Sequence, residues 1–329
     1  MEADDSIVVA FAADQNYFDG LLVSAGSMAR HASSDVWITW IILDGGIRND
    51  DMAFLGKVIQ TAHKKSIIRV IDFVAALPND VMPYKGSVMA YARLYLAGLL
   101  PEYDFVLYSD VDFLWLADVK KLWGLRDNRF LVQSTIDECI SVKGWKPEDE
   151  WAERHGIVLN RESYFCSGLC LFNLAKLREG MLDCVFDMWR KYPDVPLADQ
   201  TVMNVVFPPN EIGLLPLKWQ RLVCELTPEK ISGEVVLHYA GVAPWKAINT
   251  KFLTDVIWAW FHEYSKLCNV SMWKAVGKVH NVCFAVASRM AFCLAVNFIW
   301  AKWFLRRILR LTGHEGYMTL CFRCNKLFS

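Results

Sequence analysis

DFVLYSDVDFLW, residues 104–115, runs an apolar, β-prone segment straight into two carboxylates, Asp110 and Asp112. A buried strand that ends on charge ends at a site, because carboxylates are rarely buried without partners. On an extended chain residues i and i+2 point the same way, so both carboxylates face one spot. Two such negatives raise one another's pKa, and a hard divalent cation between them removes the conflict. A solvated turn after a strand is the competing reading, since so short a motif recurs by chance.

Working outward, apolar runs alternate with amphipathic stretches through the first half of the chain. SIVVAFA (6–12), VWITWIIL (36–43), SIIRVIDF (66–73) and the run ending at Asp110 read as strands. Helical patterns fall at 17–31, 51–63 and 86–99. This alternation predicts a βαβ-type, mainly parallel α/β sheet with helices on both faces. Later, CLFNL (170–174) and VVLHY (235–239) read as short strands, and 174–192 and 251–267 as helices. Without internal repeat or low-complexity linker, residues 1–265 read as one domain and 266–329 as a separate C-terminal helical segment.

The chain has 329 residues, 54% of them hydrophobic, enough for a sizeable core. Its net charge of −1 gives no overall field to gather nucleic acid, so no nucleic-acid partner is expected. The sequence begins MEADDS without a signal-peptide pattern, and its ten cysteines lie mostly in apolar stretches. They read as reduced thiols of a cytoplasmic protein. Cys321 and Cys324 form a lone C-x-x-C that reads as two free thiols rather than a zinc or redox site.

The C-terminal segment differs in kind. From Tyr264 to His314 there is no acid, whereas Lys266, Lys274, Lys278, Arg289, Lys302, Arg306, Arg307 and Arg310 sit among tryptophans and phenylalanines. The window 282–301 has the length of a bilayer span, but Arg289 lies in its middle, where a charge costs several kcal/mol. On a helical wheel the basic residues from Lys274 onward fall within an arc of roughly 140°. That pattern suits an amphipathic helix lying on an anionic membrane surface, making the protein peripherally bound at the inner face of the cytoplasmic membrane. A helix packed on the domain, or an oligomer contact, is the alternative.

In an open α/β sheet ligands collect at the carboxyl ends of the strands. Asp14 and Asn16 follow the first strand, where a nucleotide base or ribose could be hydrogen-bonded. His238 ends another strand and could add an imidazole to the metal pair. Asp199 and Gln200 open a helix in ADQTVMN (198–204), and FCSGLCLFN (165–173) offers a small-residue turn.

FAADQNY, YARLYL, LYSDVDFLW, FCSGLCLFNL, ADQTVMN and HYAGVAPW together, in order and spacing over about residues 6–250, resemble glycosyltransferase family 8. Within it the resemblance is to bacterial lipopolysaccharide and lipooligosaccharide α-glycosyltransferases. It implies the GT-A fold, a Rossmann-like nucleotide-sugar-binding domain. It also implies retaining transfer of galactose or glucose from UDP-galactose or UDP-glucose to a lipopolysaccharide-core glycolipid or an oligosaccharide, with Mn²⁺, or Mg²⁺ as the alternative ion. Carried over residue by residue, it implies metal ligation by Asp110, Asp112 and His238. Uridine contacts fall to Asp14 and Asn16, with the Val111 backbone lining the nucleotide site. Arg93 would reach the donor sugar or phosphate, Asp137 the sugar hydroxyls, and Asp199 and Gln200 the underside of the sugar, with Gln200 near the anomeric carbon.

Two departures stand out. The family's His-x-x-Gly-x-x-Lys-Pro-Trp reads HYAGVAPWK here, so either Lys246 bends back to the diphosphate or Gly241 backbone contacts suffice. The family's Phe-Asn-Ala/Ser-Gly turn reads Phe165-Cys166-Ser167-Gly168, placing Ser167 at the donor and a thiol where a sugar-contacting amide is usual. Two other classes stay open. A metal-dependent phosphohydrolase uses a similar Asp-x-Asp but wants Thr or Val two residues on, where this chain has Leu114. A catalytically silent UDP-binding membrane-associated protein would follow from the displaced lysine.

Overall fold

The computed structural model describes residues 6–76, 87–223, 233–241, 243–246, 255–271 and 274–275. Its chain divides into two compact units, residues 1–221 with 234–238, and residues 222–233 with 239–329. Among the described residues of the first unit, seven strands form one sheet: β1 (Ser6–Ala13), β2 (Trp37–Asp44), β3 (Ser66–Asp72), β4 (Phe105–Ser109), β5 excluded, β6 (Val132–Thr135), β7 (Leu169–Asn173) and β8 (Ile212–Leu215). The excluded β5 (Phe113–Trp115) pairs elsewhere, and the order within the sheet is β3-β2-β1-β4-β7-β6-β8.

β1 pairs in parallel with β2 and β4, and β2 with β3, as the βαβ pattern predicts, and β6 also pairs in parallel with β8. β7 alone runs antiparallel, to both β4 and β6. In β1 every residue from Ile7 to Ala13 is buried, as a central strand with both faces covered requires. β3 at the edge has only intermediate and exposed positions instead.

α1 (Phe18–His31) and α2 (Asn49–Ala62) fall where the amphipathic pattern puts them. The expected helix over 86–99 is instead a 3₁₀ segment, Met89–Tyr95, running into one α turn, Leu96–Leu99. The expected helix over 174–192 is interrupted at Gly180, whose φ of +100° lies in the left-handed region that glycine adopts without cost, and it resumes as Leu182–Lys191.

The topology builds the site. Because β7 runs antiparallel to β4 with Ser109 opposite Leu169, the turn Cys166–Gly168 is brought against the end of β4. The Asp110 amide donates to the Gly168 carbonyl at 2.7 Å. Strand Val236–His238 pairs antiparallel with β5, setting His238 opposite Phe113, the neighbour of Asp112.

In the second unit, helix Asp255–Leu267 packs its aromatic face internally. Trp245 stacks on Trp260 at 5.7 Å, and the Tyr239 hydroxyl donates to the Val256 carbonyl. Residues 276–329, carrying most of the basic segment and the C-x-x-C, lie outside the described residues. Among the described residues no helix is long and apolar enough to cross a membrane, and Cys139, Cys166, Cys170, Cys184 and Cys268 form no disulfide.

Candidate active site

Arg93 is the centre of the site. Its side chain is 4% exposed, and its guanidinium donates to Asp110 Oδ1 at 2.7 Å and to the Ser167 carbonyl. Nε stands 3.1 Å from Asp199 Oδ2, a contact for charge rather than a well-aligned hydrogen bond. The guanidinium also lies over the Tyr108 ring, 4.5 Å from its centroid. A buried cation needs compensating anions, and this one has two. Three motifs far apart in sequence, YARLYL, the Asp-x-Asp and ADQTVMN, therefore meet around one residue.

The carboxylates are unequal. Burial pushes the Asp199 carboxyl up to about 6, against the downward pull of Arg93 and with a further upward push from Asp110. Asp110 is also raised by burial, with Arg93 opposing and Asp112 adding repulsion. Burial works the same way on Asp112, but His238, together with a backbone hydrogen bond and Arg93, outweighs it and lowers Asp112 below its ordinary value.

His238 Nε2 is 3.4 Å from Asp112 Oδ1, and that oxygen is buried without a hydrogen-bond partner. The imidazole stacks on Phe113 at 4.2 Å with planes 9° apart, and Gln220 Nε2 lies 3.3 Å from its Nδ1. Gly168 leaves room for this stack, since a Cβ there would come 3.0 Å from His238 Cε1 and 3.2 Å from the Phe113 ring. Two carboxylates and an imidazole are the donor types that suit a divalent cation, and the orphaned Asp112 oxygen is a ready acceptor. Asp110 Oδ1 is engaged by Arg93 and by the Tyr108 hydroxyl at 2.9 Å, and among the described residues no three His, Cys, Asp or Glu stand grouped around one ion position.

Gln200 and Asp137 come together at the Cys166–Gly168 turn. Gln200 Oε1 accepts from the Ser167 amide at 2.9 Å, and its Nε2 donates to Asp137 Oδ2 at 3.0 Å. Asp137 Oδ1 caps the following turn by accepting from the Cys139 and Ile140 amides. Asp199 and Gln200 open helix Asp199–Val206 directly after Ala198, which holds φ 47° and ψ −121°. A non-glycine residue there is strained, and such strain gathers at functional sites.

Asp14 caps its own turn through the Asn16 amide and accepts from Ser87 Oγ at 3.0 Å, with Asn16 itself exposed. Val111 and Ser167 are buried. Gly241 (φ 71°) and the exposed Lys246 belong to the second unit. Sequence reasoning missed Tyr108, Gln220 and Glu148. Tyr108 lies on β4 two residues before Asp110, which follows the strand, and that spacing is the one signal that could have found it. Gln220 carries no sequence signal.

A family model for Glycosyl transferase family 8 matches residues 8–249. A Haemophilus influenzae protein provisionally described as a glycosyltransferase is 25% identical over 251 residues, 71% of each chain. General stress protein A of Bacillus subtilis is 23% identical over 305 residues, covering 84% of this chain and 98% of its own. Among solved structures, the galactosyltransferase LgtC with donor and acceptor sugar analogues superposes with TM-score 0.64 at 22% identity, over 82% of this chain and all of that one. The bifunctional glycosyltransferase WbbM gives TM-score 0.68 at 20% identity, over 84% of this chain and 52% of that one, so this chain spans about half of WbbM. The fold is GT-A, as the motif order implied. With the motifs assembled on that fold and the family model covering most of its length, the chain belongs to glycosyltransferase family 8.

Proposed function

We propose that this protein is a retaining glycosyltransferase that moves galactose or glucose from a UDP-sugar to a lipopolysaccharide-core or other glycolipid acceptor, with Mn²⁺ held by Asp110, Asp112 and His238. The observation that carries the reading is Asp112 Oδ1, a buried carboxylate oxygen without a hydrogen bond that faces the His238 imidazole at 3.4 Å. The bound cation supplies Lewis-acid stabilisation of charge on the departing diphosphate. Arg93 acts from beneath, keeping Asp110 and Asp199 charged and oriented through its 2.7 Å and 3.1 Å contacts. Asp14 and Asn16 bind uridine beside the Val111 backbone, and Asp137 and Ser167 receive sugar hydroxyls.

Gln200 presents its amide below the sugar. Its oxygen is already accepting from the Ser167 amide, and an amide is a weak nucleophile. Retention therefore goes by attack of the acceptor hydroxyl on the face the leaving group departs from, with the proton passing to the leaving phosphate oxygen. The basic segment within 266–329 serves an acceptor whose sugar head lies at an anionic membrane surface, on the cytoplasmic side. The test is a panel of UDP-sugars scored for released UDP in Mn²⁺ and in EDTA. Metal-dependent turnover of UDP-galactose or UDP-glucose is expected. Turnover of neither sugar, with UDP still bound, would replace the enzyme by a silent binding protein.

A further inference from the structure

Glu148 has no exposed surface, yet it sits in KPEDEW, where an acid reads as one more solvated charge. Its Oε1 accepts two hydroxyls, from Thr201 at 2.6 Å and from Tyr164, while Oε2 is buried without a partner. Each hydroxyl leads to one side of the transfer site. Thr201 follows Gln200, and its Oγ1 also accepts from the Leu197 amide at 3.2 Å. The Leu197 carbonyl in turn accepts from the Gln200 amide at 3.0 Å, closing the turn that contains the strained Ala198. On the other side the Tyr164 carbonyl accepts from the Asp137 amide at 2.8 Å.

Asn204 reinforces the link, bonding both the amide and the carbonyl of Phe165 at 2.8 Å and the Gln200 carbonyl at 2.9 Å. An apolar core would hold these elements together without burying an acid, two hydroxyls and an amide. A buried polar network fixes orientation in a way that apolar packing does not. A strained turn persists only where its surroundings over-determine it.

We infer that Glu148 is a positioning residue for the transfer reaction, holding through Thr201 the turn that presents Asp199 and Gln200, and through Tyr164 the segment that bears Asp137. The inference rests on the roles proposed above for those three residues. Glu148 touches no substrate. It sets the distance across which Gln200 and Asp137 meet, and misplacement of reacting groups by about 1 Å costs on the order of a hundredfold in rate.

The experiment uses the full chain and four variants: Glu148→Leu, Glu148→Gln, Thr201→Val and Tyr164→Phe. Steady-state UDP release is measured together with amide hydrogen exchange over 197–204. Glu148→Leu and Thr201→Val should lower kcat by about ten- to a hundredfold with KM for the UDP-sugar within about twofold. Glu148→Gln keeps the accepting oxygen and should recover to within about threefold of wild type. Exchange should quicken over 197–204 in the two damaging variants and not in β1. Undiminished kcat, or a loss that Glu148→Gln fails to rescue, overturns the inference. Should the wild-type chain turn over no UDP-sugar, the proposed function falls, and the exchange data decide the clamp separately. Selective quickening over 197–204 then supports it, and unchanged exchange there overturns it.

Discussion

Replacing Arg93 by methionine keeps most of the side chain's stem and removes the guanidinium. Asp110 and Asp199 then lose contacts of 2.7 Å and 3.1 Å, and the Ser167 carbonyl loses its donor. Breaking a buried ion pair on one side costs about 3–5 kcal/mol, because the remaining charge stays uncompensated. The Asp110 side chain is 29% exposed and can turn to water, whereas that of Asp199 is 7% exposed and cannot, so the lower end, about 3 kcal/mol, is expected. The sign with pH follows from the carboxylates. Asp199 already sits at about 6 because burial raises it, and Arg93 is the charge that pulls it down. Without that pull the native Asp199 carboxyl keeps its proton to a pH above 6 while the unfolded chain has released it, so the variant's deficit against wild type shrinks as pH falls toward 6. Urea unfolding followed by circular dichroism, in EDTA so that no cation substitutes for the lost charge, measures this at about pH 8 and about pH 5. A deficit near 3 kcal/mol at the higher pH that shrinks at the lower is expected. A variant as stable as wild type at both, or a deficit independent of pH, would refute the argument.

Asp112→Asn should cut metal-dependent UDP release by about a hundredfold or more while leaving the circular dichroism spectrum unchanged, since its Oδ1 makes no hydrogen bond in the fold. Gly168→Ala places a Cβ 3.0 Å from His238 Cε1, and should weaken Mn²⁺ activation by about tenfold, read from the concentration giving half-maximal rate. Ala198→Gly relieves a φ of 47°, and should raise unfolding free energy by about 1 kcal/mol in urea titration while lowering kcat. Release of the protein from anionic vesicles on truncation before residue 271 would support the interfacial reading of the basic segment, and unchanged vesicle binding would count against it.

β1, β2 and β4 were legible because each is a continuous apolar run, buried through its centre, whereas β6, whose sequence VQST is buried but mostly polar, and β8 (Ile212–Leu215) carry no such run and were not read. β7 could not be given a direction from CLFNL, since a buried strand reads the same whichever way it runs. The pattern over 86–99 has helical periodicity but tightens to 3₁₀ along Met89–Tyr95, where Arg93 reaches Asp110, Asp199 and the Ser167 carbonyl. The approach of His238 to Asp112 was legible because His238 ends one β-prone run and Asp112 follows the end of another. Arg93 as a buried hub was not, because an arginine on a helical pattern is ordinarily exposed. Glu148 was illegible for the same reason, lying among Lys146, Asp149 and Glu150, which do face solvent or half-face it. Burial of a charge is decided by partners distant in sequence, and local pattern does not carry them.

The most direct measurement is calorimetric titration of the full chain with UDP, in Mn²⁺ and in EDTA, on wild type and on Asp112→Asn. The account predicts UDP binding that tightens by at least about tenfold in Mn²⁺ for wild type and loses that gain in Asp112→Asn. Equal UDP affinity with and without the metal, or a metal gain that survives in Asp112→Asn, would contradict it.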